Sequence, residues 1–208
     1  MINLKEIFFS LCRKHSSQNE IAEKMWNEIE MNYSAAGRYY HTLYHLEKMF
    51  ENLEGAKKDI SDFESVSWAV FYHDLFYDAS RSDNEERSAL AALKILNGLK
   101  IPFQKIMKVQ SFILATKNHE TEEEEDKDLE YFLDADLSVL GATEKGYFEY
   151  ATNVRSEYSI YPDETYKPGR KKVLESFLAM PRIFKTDHFN ALFEKQAREN
   201  LKKECLSL

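Results

Sequence analysis

A chain of 208 residues with 43% hydrophobic and 31% charged side chains is long enough to bury a core without disulfide or metal staples. Six glycines and four prolines are too few for a collagen-like, low-complexity or turn-rich all-β chain, and 13% aromatic residues are too many for a disordered one. The formal net charge of −8 disfavours non-specific binding to a nucleic-acid backbone, although a metal ion and a few placed cations would still hold a small phosphate.

In chain order the signals are helical. The first residues, Met1 to Leu11, carry a short apolar stretch broken by Lys5, Glu6 and Ser10, with no small-residue cleavage site of an export signal behind it. Ser17 with Glu20 reads as a capping box, and Ile21, Met25 and Ile29 repeat at helical spacing up to about Tyr33 to Gly37. A second helix is predicted from Arg38 to Leu53, stopping at Gly55. Ser61 with Glu64 predicts the start of a third, running through Trp68, Val70 and Phe71 to Leu75 and Phe76. Ser82 or Asp83 caps the next, which closes near Asn97 and Gly98, and Pro102 opens one reaching about Lys117. The acidic run Glu122 to Asp126 predicts a solvated turn before a helix with Leu129, Phe132 and Leu133. Further helices are expected from Thr143 to Tyr158, from about Lys167 to Leu178, and from Asp187 onward. No linker or repeat divides them, so the expectation is all-α, a compact single domain over 1–208 with a metal-site core at about 38–140 and C-terminal helices from 143 packed on it. Cys12 and Cys205 form neither a disulfide framework nor a metal-ligand spacing, which fits a reducing cytoplasm, and no run of about 18 apolar residues predicts a membrane span.

Three placements carry chemistry. His73 and Asp74 stand in Trp68-Ala69-Val70-Phe71-Tyr72-His73-Asp74-Leu75-Phe76-Tyr77, a stretch apolar on every helical face. A carboxylate buried there must be paired or bound to metal. Asp134 and Asp136 stand in a second apolar run, Phe132 to Leu140, where spacing alone does not separate ligand from cap. His41 and His45 in Tyr40-His41-Thr42-Leu43-Tyr44-His45 are spaced i, i+4, which on a helix places both rings on one face. Imidazoles and carboxylates together, His45, His73, Asp74 and Asp136, suit a divalent cation of intermediate hardness. His15 and His188, among polar residues, are expected to be exposed.

The order His45, then His73-Asp74, then Asp136 resembles the signature of the HD superfamily of metal-dependent phosphohydrolases. Asn84 to Ala89, Ala115 to His119 and Ala197 to Leu201 extend the resemblance to a group of small bacterial predicted HD phosphohydrolases. The resemblance implies a helical bundle that holds one divalent metal (Mn, Fe, Co, Ni, Zn or Mg), with room for a second, on His45, His73, Asp74 and Asp136, the last preferred to Asp134. Tyr40 to His45 is similar to the first-histidine motif of cyclic nucleotide phosphodiesterases, which implies His41 as general acid and His45 as ligand. Thr42 stands where those enzymes typically place Asn, so cyclic nucleotides are not implied. The substrate so implied is a small phosphoester, nucleotides among the candidates, cleaved by activated water with Asp74 and His41 at the reacting centre. Arg38 and Lys117 are the candidate phosphate contacts, and His119 and Glu86 the candidates for a second metal or for substrate. Two other functions fit the same residues: a di-iron HD-type oxygenase, and a non-catalytic metal-binding regulatory module.

Overall fold

The computed structural model describes residues 2–119 and 126–208, and among them every regular element is a helix. The expected acidic turn at Glu122 to Asp126 lies, except for Asp126, outside the described residues. None of the described helices is long and apolar enough to cross a membrane. The chain forms two compact units, Met1–Leu133 and Asp134–Leu208, with the division inside one helix.

The first unit opens with a helix not foreseen in the sequence, α1 (Leu4–Arg13), whose cap Asn3 accepts a hydrogen bond from the amide of Glu6. Phe8 projects from it between Trp26, Trp68 and Phe71, with ring centroids 5.9, 5.6 and 5.1 Å away. Each such buried aromatic contributes roughly 1.5–3 kcal/mol, so the interrupted apolar stretch at the N-terminus is core. Burial also pushes the Cys12 thiol up to about 11, which suits a core side chain and not a nucleophile.

Helix α2 (Asn19–Tyr33) buries Met25 and Ile29 as expected and Trp26 besides, but its cap position is Gln18, not Ser17. The hydroxyl of Ser16 takes the Gln18 amide, so the turn is made one residue earlier than a Ser17 box would make it. Helix α3 (Leu43–Ala56) starts five residues later than expected and contains Gly55 within it. The aromatic run before it has weak helix propensity, and the His41 carbonyl is taken by Arg38 instead of by an amide one turn on.

Helix α4 (Phe63–Tyr72) is buried on every face, as its sequence predicts. Its cap is Asp62, which accepts from the Ser65 amide and hydroxyl (3.1 and 2.8 Å). The expected Ser61–Glu64 box fails because Glu64 is drawn to His15 and Lys105, while the Ser61 and Asp62 amides donate to the buried Asp128 carboxylate (2.7 and 2.9 Å). His15 is therefore not an exposed histidine. Helix α5 (Asn84–Gly98) begins after Asp83, whose carboxylate pairs with Arg81 and leaves the helix end uncapped by it. Helix α6 (Phe103–Ala115) packs on both α4 and α5, and Pro102 is its cap residue. Helix α7 (Lys127–Leu137) contains the junction between the units.

In the second unit a 3-10 turn at Ser138–Gly141 leads to α8 (Glu144–Glu157), α9 (Asp163–Ala179) and α10 (Asp187–Ser207). Thr143 caps α8 and Thr186 caps α10, both where the sequence puts a start. Helix α9 opens four residues earlier than expected and runs through Pro168, its first residue Asp163 being held by Arg155 at 2.8 Å. Helix α10 packs on α9 and on the 3-10 turn so closely that a β-carbon at Gly141 would lie 2.5 Å from Phe193 Cβ. Beside it the buried Asn200 donates to the carbonyls of Leu140 and Ala142, both at 2.8 Å.

Candidate metal centre

Two helix ends of the first unit supply the centre. His45 lies in the first turn of α3, and His73 is the residue on which α4 closes; they are 3% and 1% exposed. Asp74 is the first residue beyond α4, so the expectation that it sits within a central helix is corrected. The helix stops because the Val70 carbonyl is taken by His73 Nδ1 (2.9 Å) and the Asp74 amide donates to the Tyr33 hydroxyl (3.3 Å) instead; beyond it, the carbonyls of Asp74 and Leu75 accept from Arg38 (2.7 and 2.8 Å). Leaving the helix here turns the Asp74 carboxylate back toward His73.

The hydrogen bonds fix the protonation pattern. His73 Nδ1 lies 2.9 Å from the Val70 carbonyl, which can only accept, so Nδ1 carries a proton. In the neutral ring Nε2 then presents a lone pair. That lone pair faces His45 Nε2 at 3.2 Å and Asp74 Oδ2 at 3.1 Å. Two imidazole nitrogens and a carboxylate oxygen brought this close together are a donor set that a divalent cation could use. Anchoring one imidazole nitrogen to a backbone carbonyl so that the other is free is the support that metal-binding histidines commonly have.

His41 is not on the face of α3 with His45, as the i, i+4 spacing suggested, because it lies in the bend before the helix. It still reaches the same neighbourhood. Its Nε2 is 3.8 Å from Asp74 Oδ2, and its ring is stacked on Tyr77 with centroids 4.0 Å apart and planes 27° from parallel. Arg38, expected at a substrate phosphate, instead commits its fork to main-chain carbonyls, those of His41 (3.0 Å), Asp74 and Leu75, and lies over the rings of Tyr33 and Tyr77. The Tyr33 hydroxyl in turn accepts from the Asp74 amide at 3.3 Å.

The two aspartates of the second apolar run separate cleanly. Asp134 is fully buried and its carboxylate accepts from the amides of Lys185 (2.7 Å) and Thr186 (2.8 Å) and from the Thr186 hydroxyl (2.7 Å). Burial pushes this carboxyl above the usual carboxylate range, and the Thr186 and Lys185 donors hold the rise in check. Its oxygens are committed to the turn that starts α10. Asp136 is half-buried on α7, one helical turn from Phe132 and on the same face, and the Phe132 ring meets the His73 ring edge to face at 5.9 Å.

Glu86 and Lys117 are salt-bridged to each other, both about half exposed, and Lys117 also donates to the Ser82 carbonyl at 2.9 Å. Each is thus the other's partner at the surface. His119 follows the end of α6 in a left-handed conformation (φ 55°), half-buried, its amide donating to the Ala115 carbonyl. That main-chain bond makes it part of the turn that closes α6.

Tyr33 and Tyr77 are the members of this neighbourhood that the sequence did not single out. Both stand in aromatic-rich stretches where nothing in composition or spacing marks one tyrosine from another. No family model, no curated protein and no solved structure matches this chain.

Proposed function

We propose that the protein is a metal-dependent phosphohydrolase acting on a small phosphoester, with His45, His73 and Asp74 at a divalent-metal site, Asp136 as the further ligand that the resemblance to the HD superfamily implies, and His41 as general acid. The observation that carries the proposal is the convergence of His45 Nε2 and Asp74 Oδ2 on His73 Nε2, with the His73 proton held away on Nδ1. The donor set fits a cation of intermediate hardness: imidazole nitrogens and carboxylate oxygens, no thiolate. The order of His45, His73-Asp74 and Asp136 in the chain, with its resemblance to the HD superfamily, supports the same reading.

A divalent cation held there would supply Lewis-acid charge for phosphoryl oxygens and lower the pKa of a water from about 15.7 toward 7. The protein's own part is the proton and its placement. His41, 19% exposed and stacked on Tyr77, presents Nε2 beside Asp74, where it would donate a proton to the departing ester oxygen. Phosphate binding in this proposal falls to the cation and not to Arg38 or Lys117, whose donors are engaged elsewhere.

The test is hydrolysis of a panel of nucleotides and simple phosphoesters by protein stripped with chelator and reloaded with Mn, Fe, Co, Ni, Zn or Mg. Turnover that appears with metal and vanishes in His41→Ala, least severely on p-nitrophenyl phosphate, supports the proposal. Tight metal binding with no turnover on any ester would point to a regulatory metal-binding module. Two irons per chain with redox activity would point to an oxygenase.

A further inference from the structure

We propose that Arg38 is the positioning residue of His41: one guanidinium ties the bend that carries the proton donor to the stretch that carries Asp74. The catalytic consequence rests on the phosphohydrolase reading, whereas the positioning itself does not.

His41 lies outside the helical hydrogen-bond ladder, so α3 does not fix it. Arg38 Nη1 donates at once to the His41 carbonyl (3.0 Å) and to the Asp74 carbonyl (2.7 Å), and Nη2 donates to the Leu75 carbonyl (2.8 Å). Two chain segments 36 residues apart in sequence are thereby joined through one planar group. The guanidinium carbon lies 4.9 Å from the Tyr33 ring centroid and 5.8 Å from that of Tyr77, the ring on which His41 stacks. The same residue thus holds the His41 main chain and helps place the surface that orients its ring. A lysine has a single nitrogen on a flexible stem and cannot reproduce a planar fork that meets three carbonyls between two aromatic faces. The prediction is therefore specific to geometry as well as to charge.

The experiment compares wild type with R38K and R38A by three readouts. The first is the nuclear Overhauser effect between the His41 and Tyr77 ring protons in metal-free protein. The second is Mn2+ affinity, and the third is kcat and KM on phenyl phosphate and p-nitrophenyl phosphate with Mn2+. Positioning predicts that the His41–Tyr77 signal is lost in both variants while Mn2+ affinity stays within about threefold. It also predicts that kcat on phenyl phosphate falls about 10–100-fold, with KM nearly unchanged. The loss on p-nitrophenyl phosphate, whose leaving group needs no proton, should be about tenfold smaller. Retention of the ring signal in R38K, or equal losses on the two esters, overturns the inference. If R38A does not fold, R38K decides. If wild type hydrolyses no phosphoester, the phosphohydrolase reading fails by itself, and the ring signal alone decides whether Arg38 positions His41.

Discussion

Asp134 and the pair His73-Asp74 look alike in sequence, each a polar interruption of an apolar run, but their surroundings differ in kind. Around Asp134 the near polar atoms are donors: two amides and a hydroxyl deliver hydrogen bonds of 2.7–2.8 Å to one carboxylate. Around His73 Nε2 the near polar atoms are another imidazole nitrogen and a carboxylate oxygen. A buried acid supplied with donors is a structural cap whose loss costs stability. Imidazole nitrogens gathered with a carboxylate oxygen are instead the donor types that a divalent cation takes. Burial alone does not tell the two apart; the chemistry of the partners does.

Substitutions can break that distinction. The largest effect is expected for His73→Ala, which should weaken divalent-metal binding by more than about 100-fold in a calorimetric titration and remove metal-dependent turnover with it. Next, Asp134→Ala leaves the Lys185 and Thr186 amides without their acceptor and should lower unfolding free energy by about 2–4 kcal/mol in a urea melt, with metal binding intact. Asp74→Asn is the counter-case: in metal-free protein it should leave stability unchanged within about 0.5 kcal/mol or raise it, because it removes the cost of a partly desolvated carboxylate charge. A fall like that of Asp134→Ala would show that Asp74 is a structural acid too.

Two smaller effects sharpen the account away from the site. Gly141→Ala would drive a methyl group into the backbone of Phe193 and should cost about 1–3 kcal/mol. Glu64 is pushed up by burial, but the His15 hydrogen bond and the charges of Lys105 and Lys14 more than offset this and leave its carboxyl below the usual range. A carboxyl lowered in the folded state stabilises above its unfolded value near 4.5 and loses that contribution as pH falls through the folded value. Glu64→Gln should therefore flatten the stability profile below about pH 5, by less than about 1 kcal/mol, as read by thermal melts at stepped pH.

The all-helical fold was legible because few glycines and prolines and helical apolar spacing act locally. Thr143 and Asp187 mark helix starts by chemistry confined to one turn, and the structure agrees. The failures around α4 are cases in which a distant residue overrides a local signal. Asp128 takes the amides of Ser61 and Asp62, His15 and Lys105 take Glu64, and Tyr33 takes the Asp74 amide that would have continued α4. None of these partners lies within a turn of the residue it claims. In the candidate site, His45, His73 and Asp74 were named from residue type and order and lie together, whereas the main-chain bonds of Arg38 were not foreseen. A cation five residues before α3 reads the same whether it meets phosphate or main chain, and only the fold says which.

The most direct measurement of the central claim is calorimetric titration of Mn2+ and Zn2+ into chelator-stripped wild type, His73→Ala and His15→Ala. One ion per chain is expected to bind wild type and His15→Ala, in which the lost imidazole serves Glu64, and not to bind His73→Ala. Binding that survives in His73→Ala, or no binding in wild type, would contradict that claim.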